Sequence, residues 1–294
     1  MEKNMKSMKR LLGTVLALCL ACSLCTAVFA STFTDAHGNV IELDDTLEAY
    51  TPAVLYGADN AARKGETNLG DLWADALLWF ARSGKINEYF DEDDAAAGNA
   101  KIAVDADHIV ALWNGGNLRA DIPAGKFGAE QLAEVLPYPN KAAVVYMTGV
   151  QLREALEAAS QGLPFKEERA AACASFMQSA GISYTVNCFL PYNKGEAYGD
   201  EWFRARSVRR VTINSVNGKP FDPAAVYAVI TSNANFNGMD SSYMFKEAAE
   251  ADERSTITTA VVRDVVWMYL SEELGGRVDA RYSAPQGRIT VIGG

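Results

Sequence analysis

The chain has 294 residues, of which 49% are hydrophobic and 22% are charged, the composition of a globular protein with a sizeable core. Its net charge of −10 argues against binding to nucleic acid polymers or anionic lipid, because both are themselves negatively charged. A small anionic ligand would therefore need basic side chains close to its own site.

Residues 1–30 have the pattern of a secretory signal: a basic start, an apolar stretch too short to span a bilayer, and small residues around Val28 and Ala30. We expect export, so that the mature protein is secreted, either extracellular or periplasmic. Removal of the segment would take the net charge to −13, because it holds four basic residues and Glu2. An uncleaved anchor and lipid attachment at Cys22 are the alternatives. No later stretch is apolar enough to cross a membrane.

Few side chains suited to soft metal ligation follow the signal, namely Cys173, Cys188, His37 and His108. A hydrolytic centre with two metals needs several His and Asp ligands around one metal pair, so the sequence predicts no metal site and no cofactor. A disulfide between the two cysteines is left open, since sequence does not give their separation. Serine-hydrolase, phosphate-loop and Rossmann glycine motifs are all missing.

The first half of the chain alternates between helix and strand. Asn68 is placed to cap an amphipathic helix over residues 69–82. The acidic, alanine-rich segment 88–100 is predicted to be a mobile surface insertion, with calcium binding as the weaker alternative because the ligand spacing is absent. A buried strand is predicted at 108–113 and a short helix at 129–135.

In the second half, Thr148 and Gln151 form a capping box that predicts a helix through Ser160. Asn217-Gly218 is typical of a hairpin turn between strands, although Pro220 and the Asp222-Pro223 pair lengthen the loop. Further predicted elements are strands at 141–147, 182–187, 208–216, 226–231 and 288–292 and an amphipathic helix at 257–270. This order favours an α+β fold, a mixed sheet with helices packed on it.

The strand at 108–113 ends in Asn114-Gly115-Gly116, with Arg119 shortly after. The simple interpretation is a tight loop. The alternative is a ligand cradle, because glycines let main-chain atoms approach a bound molecule closely.

Seven segments resemble the C-terminal domain of the 5'-nucleotidase and UDP-sugar hydrolase family in order and spacing. They are ETNLGDLWADAL (66–77), WNGGNLRADIPAGKF (113–127), LAEVLPYPN (132–140), MTGVQLREALE (147–157), SAGISYTV (179–186), NGKPFDPAAVYAVITSN (217–233) and NGMD (237–240). The resemblance covers residues 63–292. It implies a division into a signal at 1–30, an N-terminal segment at 31–62 and the family domain at 63–294.

In that family the C-terminal domain holds the substrate, and a separate N-terminal metallophosphoesterase domain carries two divalent metals and cleaves the phosphate. The segment 31–62 is too short for that catalytic domain. The resemblance therefore implies a chain that binds a nucleoside or nucleotide and is inactive alone.

Site residues follow from the resemblance position by position. Asn114, with Gly115 and Gly116, matches the asparagine near the base, and Arg119 matches the arginine on the ribose and phosphate side. Tyr138 stands where the family places a stacking aromatic. Asp240 matches the aspartate that accepts both ribose hydroxyls.

Some positions depart from the family pattern. The second stacking aromatic is replaced by Ala234, and Phe236 could substitute if the segment is extended, since it would then share the same face. Gly65 stands where the family often has an arginine, with Arg63 and Lys64 as candidate stand-ins. Asn117 replaces a third glycine and narrows the turn.

Glu66 and Asn68 are interpreted as helix-capping groups rather than ligand contacts. Three functions remain open: an exported nucleoside-binding module, the specificity subunit of a split 5'-nucleotidase with a separate metallophosphoesterase chain, and a ligand-free structural or interaction descendant of the fold.

Overall fold

A computed structural model describes residues 31–34, 40–43, 48–58, 60–164 and 173–293. The predicted secretory signal lies outside the described residues. The strands are β1 (Ser31–Thr34), β2 (Val40–Leu43), β3 (Glu48–Thr51), β4 (Ile109–Asn114), β5 (Gly125–Gly128), β6 (Lys141–Thr148), β7 (Met177–Ala180), β8 (Ile182–Asn187), β9 (Lys194–Tyr198), β10 (Trp202–Ala205), β11 (Val211–Val216), β12 (Val226–Ser232), β13 (Thr256–Val261) and β14 (Ile289–Ile292).

The helices are α1 (Asn68–Arg82), α2 (Glu92–Ala96), α3 (Ala129–Val135), α4 (Gly149–Ala159), α5 (Asn233–Phe236), α6 (Tyr243–Ala251) and α7 (Val262–Met268). Short 3-10 turns at Ala61–Arg63 and Gly115–Asn117 also matter for the site. Within the described residues, no helix is long and apolar enough to span a membrane.

The centre of the fold is a five-stranded mixed sheet in the order β13-β6-β12-β4-β7. β12 and β4 are parallel, and the other pairs are antiparallel. A three-stranded sheet, β11-β8-β14, lies beside it, together with two-stranded pairs β1-β2, β3-β5 and β9-β10. This is the predicted mixed α/β architecture, with several sheets in place of one.

Successive side chains of the central strands point to opposite faces of the sheet, so the sheet separates two hydrophobic cores. In β4, Ala111 and Trp113 belong to the core under α1 and α7, whereas Val110 and Leu112 belong to the core under α4, α6 and the three-stranded sheet. The central sheet is therefore covered on both faces, and its edges and strand ends are what remain for contact with a ligand.

Helix α1 begins one residue away from the predicted cap. Thr67 is the N-cap, and its hydroxyl accepts a hydrogen bond from the Gly70 amide. Asn68 is the first helical residue and is buried; its amide donates to the carbonyls of Val54 and Tyr282. The capping interpretation of Asn68 is therefore wrong, because its side chain joins three separate segments instead.

Carboxylates at the start of α1 hold the C-terminal segment of the chain. Glu66 accepts hydrogen bonds from the amides of Gln286 and Ile289, and Asp71 also accepts from Gln286. Asp75 accepts from Arg288 at 2.7 Å. Glu66 therefore has a structural role: it holds the 286–289 segment and acts neither as a helix cap nor at the candidate site.

Two predicted elements are wrong. The strands flanking Asn217-Gly218 do not pair with each other: β11 pairs with β8, and β12 pairs with β4 and β6. The turn closes only locally, by a bridge between Val216 and Lys219, because the loop that follows it carries the chain from one sheet to another. The predicted helix 257–270 begins only at Val262; its first part, rich in β-branched residues, is β13.

The structure also describes the acidic segment, His108 and the two cysteines, while the mobility of the acidic segment stays a prediction. The acidic segment 88–100 contains helix α2. His108 lies in a 3-10 turn, where Nδ1 is 2.7 Å from the Asp105 carboxylate. Cys173 and Cys188 are both buried free thiols, so no disulfide joins them in the structure.

The glycine turn after β4 is packed backbone against backbone. The Gly115 amide donates to the Phe176 carbonyl, and the Gly116 amide donates to the Ala174 carbonyl. A Cβ on Gly115 would collide with the carbonyl of Ala62, and one on Gly116 would lie 2.6 Å from the carbonyl oxygen of Ala174. The glycines are needed because two other segments approach this turn closely.

We predict that Gly115→Ala lowers the free energy of unfolding by about 1–3 kcal/mol, because the new methyl group displaces the 61–63 turn. Urea unfolding followed by circular dichroism measures the change. Gly65→Ala is the matched control, since a Cβ there would have nothing within 4 Å. Equal stability of the two variants would contradict the packing described.

We also predict a pH-dependent stability term from Asp71. Burial is the largest cause that raises the pKa of this carboxyl from 3.8 to about 8; Glu66 raises it further, and Arg288 opposes the shift. The folded chain therefore keeps a proton that the unfolded chain releases near pH 3.8. The stabilisation by this proton is complete below the unfolded value and is lost as the pH rises through about 8.

Asp71→Asn mimics the protonated carboxyl, so its melting temperature relative to the parent should rise by several degrees from about pH 5 to about pH 9. Exposed Asp93→Asn should show no such trend. A pH-independent difference for Asp71→Asn would refute the prediction.

Candidate functional site

The parallel pairing of β4 and β12 creates one edge of the central sheet at which several segments meet. The register pairs Ala228 with Ile109, which places Asn114 level with Asn233, just beyond the end of β12. β6 and β7 are antiparallel to these strands and begin at this same edge, with Lys141 and Met177. We call it the carboxyl edge. Ligands of open sheets commonly bind outside the carboxyl ends of parallel strands.

Asn114 and Asn117 form a pair at this edge. The Asn117 amide donates to Oδ1 of Asn114 at 2.9 Å, and both side chains are largely buried. Nδ2 of Asn114 has no hydrogen-bond partner among the described residues. Asn117 orients Asn114, so that the pair presents one donor and one acceptor.

Gly115 and Gly116 use their amide protons inside the fold, so they offer no amide to a ligand. The ligand contact expected of them stays a prediction. What they provide is the close approach of the 3-10 turn Ala61–Arg63, from which Arg63 Nη2 donates to the Gly116 carbonyl at 3.3 Å.

Arg63 lies in the same electrostatic neighbourhood as two predicted site residues. Burial lowers the pKa of its guanidinium, the nearby positive charge of Arg119 lowers it too, and Asp240 raises it. Arg63 also bonds to the glycine turn, whereas Lys64 is exposed, so the structure favours Arg63 as the candidate stand-in for the arginine expected at position 65.

Asp240 is half-buried and has a left-handed backbone conformation, with φ of 54°. Burial raises the pKa of its carboxyl, Arg63 and Arg119 lower it, and Glu201 raises it. No direct ion pair joins Asp240 to either guanidinium among the described contacts. These three charges influence one another without neutralising one another by contact.

Arg119 and Tyr138 lie in the segments before and after α3. The Arg119 amide donates to the Val135 carbonyl, and its side chain is exposed. At the other end of the 136–140 loop, the Lys141 amide donates to Oδ1 of Asn233 at 3.0 Å. Tyr138 lies in this loop with 54% of its surface exposed. Both ends of the loop are thus fixed, while the aromatic ring stays open to solvent.

Phe236 does not share a face with Ala234. The segment Asn233–Phe236 is the helical turn α5, in which residues two apart differ by about 200° in direction. The extended-segment interpretation is therefore wrong, and Phe236 packs in part against the core that contains α4 and α6. Its contact with a ligand stays a prediction without its original geometric basis.

The described part of the chain contains no group of three or more His, Cys, Asp or Glu side chains placed to hold a metal ion. The residues present at the carboxyl edge do not fit the metal pair that a metallophosphoesterase centre requires.

Comparison with known proteins agrees with this architecture. The family described as 5'-nucleotidase, C-terminal domain, matches residues 47–247. The Trifunctional nucleotide phosphoesterase protein YfkN of Bacillus subtilis (strain 168) is 30% identical over 259 residues, which cover 85% of this chain and 14% of that protein. Protein 5NUC of Lutzomyia longipalpis is 26% identical over 82% of this chain and 37% of its own length. The chain thus spans well under half of the curated relatives it matches.

Among solved structures, a 5'-nucleotidase precursor from Thermus thermophilus superimposes with a TM-score of 0.58 at 26% identity, covering 83% of this chain and 39% of that one. The NAD nucleotidase (NadN) of Haemophilus influenzae has the same fold, with a TM-score of 0.55 at 15% identity over 88% of this chain and 48% of its own. The family match extends over more than half of the sequence, and the chain belongs to the 5'-nucleotidase C-terminal domain family.

Proposed function

We propose that this chain binds a nucleoside or nucleotide at the carboxyl edge of the central sheet. The observation that carries the proposal is the packing at this edge: the side chain of Arg63 bonds to the Gly116 carbonyl, next to the Asn114–Asn117 pair. The mutual influence of Arg63, Arg119 and Asp240, which form no direct ion pair among the described contacts, supports it. Charged groups held this way leave hydrogen-bonding capacity for a ligand that lies between them.

Each group suits one part of such a ligand. A guanidinium presents a planar fork to phosphate or ribose oxygens, and a carboxylate accepts hydrogen bonds from a pair of hydroxyls. The exposed ring of Tyr138 offers a flat face to a base, and the Asn114–Asn117 pair offers a donor and an acceptor. Stacking combined with polar contacts to the sugar would give selectivity for nucleosides over sugars or free phosphate.

The overall charge fits a small ligand better than a polymer. At a net charge of −10, the whole surface repels polyanions, whereas two neighbouring arginines can attract a single phosphate locally. We place the protein outside the cytoplasm, in line with its predicted signal.

A second function within the same proposal is the specificity subunit of a split 5'-nucleotidase, in which a separate metallophosphoesterase chain supplies the metals. The names of the relatives, a nucleotide phosphoesterase and a 5'-nucleotidase precursor, favour this variant over a ligand-free descendant. The following experiments separate these functions.

Arg119→Ala should weaken AMP binding by about 10- to 100-fold, because one charged hydrogen bond to the ligand is lost. The affinity for adenosine, which lacks the phosphate, should fall by a smaller factor. Isothermal titration of residues 31–294 measures both affinities. Arg206→Ala is the control, since Arg206 is also exposed but belongs to the segment after β10. Absence of saturable heat with either ligand would overturn the proposed function.

Tyr138→Ala should weaken the binding of adenosine and of AMP by similar factors, between about 5-fold and about 100-fold, because stacking acts on the base that both ligands share. Fluorescence or calorimetric titration gives the ratio. Phe189→Ala removes a ring that is 61% exposed, near the end of β8, and should leave both affinities unchanged. Unaltered binding in Tyr138→Ala would remove this residue from the site.

The purified chain should release no phosphate from AMP in the presence of Mn²⁺ or Mg²⁺, because no described cluster of side chains holds a metal pair. If the chain is the specificity subunit of a split enzyme, addition of a metallophosphoesterase chain captured from the source culture should produce phosphate release. Turnover by the chain alone, abolished by a chelator, would refute this expectation.

A further inference from the structure

The β9-β10 hairpin, which contributes none of the predicted site residues, touches the turn that carries Asp240. The phenolic hydroxyl of Tyr198, at the end of β9, donates to the carbonyl of Gly238 at 2.7 Å. Its ring is also held in place: its centroid is 5.6 Å from that of Tyr243, and the Arg204 guanidinium lies over both rings. A rigid donor is thus aimed at the backbone two residues before Asp240.

The turn itself is conformationally demanding. Gly238 has φ of 78° and Asp240 has φ of 54°, and the left-handed region costs a non-glycine residue about 1–2 kcal/mol. From the α5 side, the Met239 amide donates to the Ala234 carbonyl at 3.0 Å. The hydrogen bond from Tyr198 holds the turn from the opposite side. A Cβ on Gly238 would collide with the Tyr198 hydroxyl, so the two groups fit closely.

We infer that Tyr198 is a positioning residue, which fixes the 238–240 turn so that Asp240 faces the ribose hydroxyls of the ligand and thereby sets selectivity for ribose over a sugar that lacks the 2' and 3' hydroxyls. The inference rests on the proposed function, since it assigns a partner to Asp240 at the same site. Tyr198 itself touches the turn and not the ligand.

The physical reason is the short range of hydrogen bonds to a carboxylate. Two ribose hydroxyls can bond to one carboxylate only if both oxygens are correctly oriented, and a shift of about 1 Å breaks that geometry. Without the Tyr198 hydroxyl, the peptide between Gly238 and Met239 is held only through the Met239 amide, and the strained Asp240 backbone can relax. The base and phosphate contacts lie on other segments and are unaffected.

The test compares adenosine with 2',3'-dideoxyadenosine, which differs only in the hydroxyls that Asp240 would contact. The parent should bind adenosine more tightly by about 10-fold or more. Tyr198→Phe keeps the ring and its stacking, and should reduce that ratio to about 3-fold or less. Its affinity for the dideoxynucleoside should stay within about 2-fold of the parent's. Asp240→Asn should remove most of the preference as well.

Tyr192→Phe is the matched control, because the Tyr192 hydroxyl donates to Phe203 of the same hairpin and not to the turn. It should keep the parent's ratio. Gly238→Ala, which pushes the turn away from Tyr198, gives a second route to the same loss of selectivity if Tyr198→Phe folds poorly.

The outcomes distinguish this inference from the proposed function. A parent that binds adenosine, with an unchanged ratio in Tyr198→Phe, overturns the inference and leaves the function standing. Equal weakening of both ligands in Tyr198→Phe assigns the tyrosine a purely structural role and also overturns it. A parent that binds neither nucleoside overturns both.

Discussion

The parallel pairing of β4 with β12 is the constraint on which the site depends. All other neighbours in the central sheet are antiparallel, so without this pair the Asn114 turn and the 233–240 segment would lie at opposite edges. The pairing also brings the starts of β6 and β7 to the same edge. Through β7, the 173–176 segment reaches the glycine turn and the Arg63 carbonyl. Segments far apart in sequence are joined there by backbone hydrogen bonds, which are insensitive to side-chain identity.

At the carboxyl edge, the chain has features that stability alone would not favour. The positive charge of Arg119 disfavours that of Arg63, a half-buried carboxylate stays without a direct ion pair, and Asp240 has a left-handed backbone. Elsewhere, the buried Glu157 accepts hydrogen bonds from the amides of Arg209, Arg210 and Val211 through one oxygen, while its second oxygen has no hydrogen-bond partner within the described part of the chain. A strained backbone beside a half-buried charge is typical of a functional surface.

Local signals in the sequence predict the local elements well. The capping box of Thr148 and Gln151 and the helix Ala129–Val135 are present as expected. Errors arise where pairing is non-local: Asn217-Gly218 has hairpin chemistry, but the partner strands of β11 and β12 come from elsewhere in the chain. Asn114, Arg119 and Asp240 could be named from family resemblance, whereas Arg63 could be only a candidate. Nothing in the sequence pointed to a role for Tyr198, because the residues of β9, KGEAY, show no apolar alternation and match no motif.

The central claim is that the carboxyl edge holds a nucleoside. A crystal structure of the protein with adenosine tests it most directly. We predict electron density for a base against Tyr138, with the ribose hydroxyls at the Asp240 carboxylate and the 5' end towards Arg63 and Arg119. Adenosine bound at another surface, or an empty carboxyl edge at saturating ligand, would contradict it.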